Sequence, residues 1–208
     1  MKIDKEEYRI ISREVDETIG NIVDEFNGAV GLFKNDKKFV RMRLLIAFSF
    51  AEVICGIFGK FYNLSLGNED LMKKWFKDYC LNKENEVYEK HKYIKNLDEN
   101  YFYKLRCSVI HAFTLPEQEG KNAIMFINGS ELHSSIDKID SGFTGLGLKT
   151  TIMSTDSIMA LFTKGAENLL KEIFIDENNA NSDNLNALKR INVEFYRRGA
   201  KHIELNKA

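Results

Sequence analysis

"LLIAFSFAEVICGIFG", residues 44–59, decides what kind of fold this chain can have. The run is apolar on nearly every side, so it is either a membrane span or the central helix of a packed bundle. It falls short of the roughly 20 consecutive apolar residues that a bilayer requires. It also carries Glu52, and a carboxylate in apolar surroundings is expensive unless it meets a cation or a hydrogen-bond donor. The reading is therefore a buried helix from about Lys38 to Tyr62 in the middle of a bundle. Ser49, three residues before Glu52 on the same face, is expected to share its polar pocket.

The segments around this helix are amphipathic and supply its neighbours. Tyr8, Ile11, Val15, Ile19, Ile22 and Phe26 recur at helical spacing, which predicts a long helix that stops near Gly28. In "SLGNEDLMKKWFKDYC" (65–80), Asn68 is placed to cap a helix whose Leu71, Trp75 and Tyr79 share a face. "NKENEVYEKHKYIKN" (82–96) is polar and reads as a short exposed helix. "YFYKLRCSVIHAF" (101–113) follows a capping Asp98, buries Phe102, Leu105, Val109 and Ala112 on one stripe, and must end before Pro116.

The pattern then changes. "NAIMFINGSELHSSID" (122–137) has two short runs around Asn128-Gly129, which predicts a β-hairpin over 122–139. The glycine-rich "SGFTGLGLKTT" leads to a helix at about 155–175, with Ile158, Leu161, Phe162, Leu169 and Ile173 inward. "DENNANSDN" is a loop, and "NLNALKRINVEFYRRG" a last helix. The predicted fold is all-α: one domain over 1–208, an antiparallel helical bundle with one inserted β-hairpin. Residues 150–208 form a C-terminal helical extension packed on it.

Thirty basic and thirty-one acidic residues leave a net charge of −1, which excludes coating of nucleic acid through bulk charge. Any phosphate site must be local. Cys55, Cys80 and Cys107 are far apart, without a zinc or disulfide pattern. Reduced thiols and a charged start, "MKIDKEEYRI", with no apolar leader, lead to the expectation of a cytoplasmic protein away from membranes.

Several candidate sites fall away on inspection. Gly142 to Gly147 has the gap of a P-loop, but Leu148 intrudes before Lys149-Thr150 and moves the lysine off the phosphates. His91, His133 and His202 lack ligand-like spacing, so neither a metal nor a cofactor is expected. What remains is Arg106 and, five residues on, His111, two polar groups in a core-packing helix. They lie about 140° apart around the helix. They converge only if the arginine reaches round, or if a second copy of the helix completes the pocket.

"YKLRCSVIHAF" resembles the R-x-x-x-x-H signature of the HEPN superfamily (higher eukaryotes and prokaryotes nucleotide-binding domain), which ends a core helix of a small α-bundle. The resemblance spans about residues 5–115 and includes the apolar helix with one acid and the tryptophan-bearing amphipathic helix. It implies metal-independent endoribonuclease chemistry. His111 would serve as general base or acid for attack of a ribose 2′-hydroxyl on the adjacent phosphate, a task suited to a group with a pKa near 6.5. Arg106 would stabilise the phosphate oxygens.

Glu52 would orient Arg106, with Ser49 and Cys107 in supporting positions. Cys107 stands where the family often has asparagine or another polar group. The resemblance also implies a homodimer through the motif helix, with Phe102, Ile110 and Phe113 supplying apolar area. Its setting would be toxin–antitoxin systems or phage defence, with an antitoxin or regulatory protein as partner. Arg190, Arg197 and Arg198 offer a local basic surface for RNA. The alternative is a non-catalytic HEPN-like dimeric binding or scaffold module, which Cys107 favours.

Overall fold

The computed structural model describes residues 3–33, 39–90, 94, 97–112, 122–127 and 149–205. The described chain is mostly helical. Helix α1 (Lys5–Phe33) is followed by α2 (Val40–Phe61), α3 (Asn68–Trp75) and α4 (Glu86–Lys90). The motif helix α5 (Glu99–Ala112) comes next, then strands β1 (Asn122–Ile127) and β2 (Lys149–Ser154), and helices α6 (Thr155–Ile173) and α7 (Ser182–Leu205).

Helix α2 is the centre of the bundle. It touches α1, α3, α5, α6 and α7, and Leu44, Ala47, Phe48, Ala51 and Ile54 on it are fully buried. It is long and apolar enough to cross a membrane by length and composition, and 56% of its apolar stretch is buried inside the bundle. Phe162 of α6 anchors the core. Its ring centroid lies 5.3 Å from Phe48 of α2, 5.4 Å from Phe76, 5.9 Å from Trp75 of α3 and 6.1 Å from Phe102 of α5. Such aromatic pairs add to the area they bury. The 150–208 stretch, expected as an extension on the bundle, thus supplies a residue at the middle of the core.

The first end of α2 is closed by long-range contacts and the second by a local wrap. Arg43, in the first turn, is 1% exposed. It donates to Thr155 Oγ1 at 2.9 Å and forms an ion pair with Asp156, fixing α2 against the start of α6. There Ser154 caps α6 by accepting from the Asp156 amide at 3.1 Å. At the other end Asn63 adopts a left-handed conformation (φ 54°) and Leu64 N–H donates back to Gly59 O at 2.9 Å, a helix-ending wrap.

Three local expectations are corrected. Helix α1 does not stop near Gly28 but continues to Phe33; a glycine within a helix costs only about 1 kcal/mol and, with no left-handed turn required, does not end it. Asn68 is the first residue of α3 and the cap is Gly67, with no side-chain capping bond. The regular helix also ends at Trp75, and Phe76–Cys80 widens into a π-helical turn closed by Leu81 N–H to Phe76 O at 2.8 Å. By contrast Asp98 caps α5 as expected, its Oδ1 accepting from Tyr101 N–H at 2.8 Å.

The first half of the expected hairpin is a strand, but it pairs in parallel with β2, from Asn122 opposite Lys149 to Ile127 opposite Ser154. A hairpin is antiparallel, so this pairing is a different one. The Asn128-Gly129 turn and the rest of 128–139 lie outside the described residues, as does the glycine-rich 141–148 connection.

Candidate functional site on the motif helix

Helix α5 packs Phe102, Leu105 and Val109 into the core, as its spacing predicts. Arg106 lies beside this stripe, 7% exposed, and is ion-paired through Nη2 with Glu52 Oε1 of α2. The two partners differ in solvation: the Arg106 side chain is 9% exposed and the Glu52 side chain 31%. A guanidinium so enclosed is stable as a charge because a carboxylate faces it. Arg106 Nη1 also stands 3.8 Å from Cys107 Sγ.

The other predicted residues are distributed as follows. Ser49 is exposed on α2 and Glu52 half-buried, so a shared buried pocket is corrected: the two lie only about 60° apart around the helix, but at the edge of the packed face, where Ser49 falls on the solvent side. His111 is placed by its backbone in the last turn of α5; its side chain lies outside the described residues. Phe102 is fully buried and cannot supply the expected dimer contact, whereas Ile110 is half-buried; Phe113 lies outside the described residues.

The basic surface on α7 is redistributed. Arg190 donates from Nε to Lys60 O and from Nη2 to Phe61 O, both at 2.8 Å. Its guanidinium thus closes the C-terminal end of α2, where free carbonyls attract a cation, and those donors are not directed at an RNA phosphate. Lys189 pairs with Glu7 at 2.6 Å. Arg197 and Arg198 are placed on α7 by backbone, with side chains outside the described residues.

Cys107 is half-buried and, like Cys55 and Cys80, a free thiol. It borders a groove between α3 and α5, of about 390 Å³, where Tyr103, Lys104 and Ser108 face Lys73 and Glu69. Burial, together with the Cys107 hydrogen bond, pushes the Tyr103 phenol up to about 12. Lys73 is tied to Glu69 one turn earlier, and its ammonium lies 5.5 Å from the Tyr103 ring centroid.

Arg43 and Asn85 are buried polar residues that the sequence reading passed over. Asn85, fully buried, donates to Tyr79 O at 3.1 Å and Leu161 O at 3.0 Å, and accepts from the Val87 and Tyr88 amides. It ties the π-helical turn to α4 and α6. Two arginines, Arg41 and Arg43, open the apolar run "VRMRLLIAF"; Arg43 shares the helix face of buried Ala47, four residues on, and is the one that is buried. Among the described residues no cluster of histidine, cysteine and carboxylate groups is arranged to hold a metal ion. No protein family, curated protein or solved structure matches the chain.

Proposed function

We propose that this chain is a HEPN-like endoribonuclease that works as a homodimer without a metal ion. His111 takes the proton of a ribose 2′-hydroxyl. That oxygen attacks the adjacent phosphorus and the bond to the 5′-oxygen breaks, the leaving oxygen regaining a proton. Arg106 stabilises the charge that grows on the non-bridging oxygens. The observation that carries this reading is the Arg106–Glu52 pair: it holds a guanidinium at the α2–α5 junction, five residues before a histidine in the last turn of the same helix. Such a site fits a toxin or phage-defence nuclease held in check by a protein partner.

The burial of Arg106 favours a second reading, a non-catalytic scaffold in which the ion pair only joins two helices. Incubation of end-labelled RNA with the chain in EDTA separates the two. Cleavage leaving cyclic phosphate ends, reduced at least about 100-fold in a folded His111→Ala variant, supports the enzyme. Absence of cleavage across a panel of structured and unstructured RNAs, or full activity in His111→Ala, puts the scaffold ahead.

A further inference from the structure

The groove between α3 and α5 has the size and mixed chemistry of a ligand site. Its volume, about 390 Å³, lies within the roughly 300–1,000 Å³ of small-molecule sites. It combines an aromatic ring (Tyr103), two ammonium groups (Lys73 and Lys104), a hydroxyl (Ser108), an amide (Asn100) and a carboxylate (Glu69). An apolar ligand would leave these polar groups unmatched. A polyanion would meet Glu69, with Asp70 and Glu99 also close enough to act on the Tyr103 or Lys73 charge. A nucleotide fits both conditions: a flat ring to lie on an aromatic, edges carrying donors and acceptors, and one phosphate at the rim.

Position singles out the occupant further. Asn100, Lys104 and Cys107 fall on one stripe of α5, and helical periodicity puts His111 on the same stripe, four residues beyond Cys107. The stripe runs about 16 Å, room for two or three nucleotides of an extended strand. Cys107, which lines the groove, has its Sγ 3.8 Å from Arg106 Nη1.

We propose that this groove binds one nucleotide of single-stranded RNA next to the phosphate held at Arg106 and His111, an assignment that rests on the ribonuclease reading above. The base lies over Tyr103 in place of the Lys73 ammonium, which Glu69 holds independently of the ring. Asn100 and Glu69 meet the base edge, and the exposed Lys104 takes the flanking phosphate.

The probe is a set of fluorescein-labelled 2′-O-methyl pentanucleotides of A, C, G and U, which cannot be cleaved because the attacking hydroxyl is blocked. Binding to the full chain is read by fluorescence anisotropy. At least one binds the wild type, and Tyr103→Leu and Lys104→Glu each weaken it by about tenfold. Arg13→Ala, on an exposed face of α1, binds as the wild type does. The proposal is overturned if no oligonucleotide binds, or if both groove variants bind unchanged. Lys104→Glu alters an exposed side chain and keeps the test decisive should Tyr103→Leu fail to fold. Cleavage is scored separately. Groove-dependent binding without cleavage keeps the site and removes the catalytic reading, while cleavage indifferent to both variants does the reverse.

Discussion

Arg106 on α5 is ion-paired with Glu52 on α2, and the arginine is the more deeply enclosed partner of the two. This asymmetry makes the two single variants unequal. Glu52→Ala leaves a guanidinium in the packed junction without its carboxylate and should cost about 2–3 kcal/mol, less than the roughly 3–5 kcal/mol of a fully buried pair because Glu52 is partly solvated. Arg106→Met keeps the packed volume and leaves a carboxylate that water can reach, so its cost should be under about 1 kcal/mol. Urea unfolding of both variants checks the order. Equal costs, or a larger cost for Arg106→Met, would contradict the assignment of burial.

Gly165 of α6 faces the π-helical turn at close range. A Cβ there would lie 2.7 Å from Cys80 Sγ and 3.2 Å from Tyr79 O, and the backbone oxygen cannot swing aside. Gly165→Ala should therefore destabilise by about 1–3 kcal/mol through overpacking. Gly20, on the exposed side of α1, meets nothing within 4 Å. Gly20→Ala should stabilise by about 0.4–1 kcal/mol by restricting the unfolded chain. Opposite shifts in urea midpoint are the expected result, and a stabilising Gly165→Ala would rule out this packing of α6.

The helices were legible where periodicity is long and strong, as in α1, α2, α5 and α6, because a stripe of apolar residues admits few alternatives. The ion pair of Glu52 was legible for the same reason: a lone acid in an apolar run needs a partner. What the pattern did not contain is geometry that depends on distant contacts. The π-helical turn at Phe76–Cys80 is stabilised by Asn85 and by the close approach of Gly165, neither adjacent in sequence. The parallel pairing of β1 with β2 joins two segments far apart in sequence, and no local turn signal records it. The contacts of Arg190 were not legible because charge runs carry no record of which carbonyls they face.

Arg190 allows a direct test of whether its contacts with α2 or an RNA surface define its role. With two bonds to the last carbonyls of α2, its removal should lower stability by about 1–2 kcal/mol. Arg190→Ala should shift the thermal midpoint downward while leaving the affinity for the uncleavable oligonucleotides unchanged. A variant of unaltered stability that binds RNA more weakly would return Arg190 to the RNA surface.

Alkaline pH should weaken the fold. Tyr8, Tyr62, Tyr79, Tyr101 and Tyr103 all hold their protons more tightly than an ordinary phenol, in each case first because of burial. Their folded values are raised above the unfolded value of about 10, so between the two the folded chain binds more protons than the unfolded one. That contribution is fully present below about pH 10 and is lost as pH rises through the folded values, which for Tyr103 lie near about 12. Urea midpoints taken from pH 8 to 11 should stay level and then fall. Tyr101 isolates the effect, because its hydroxyl is buried with no hydrogen-bond partner among the described residues. Tyr101→Phe removes an unsatisfied polar atom at constant shape, so at pH 7 it should be neutral or stabilising by up to about 1 kcal/mol. Above pH 10 the same variant should lose stability less steeply than the wild type. Parallel pH profiles for the two proteins would mean that the Tyr101 hydroxyl is hydrated, and that this part of α5 is less tightly covered than the packing of Phe102 implies.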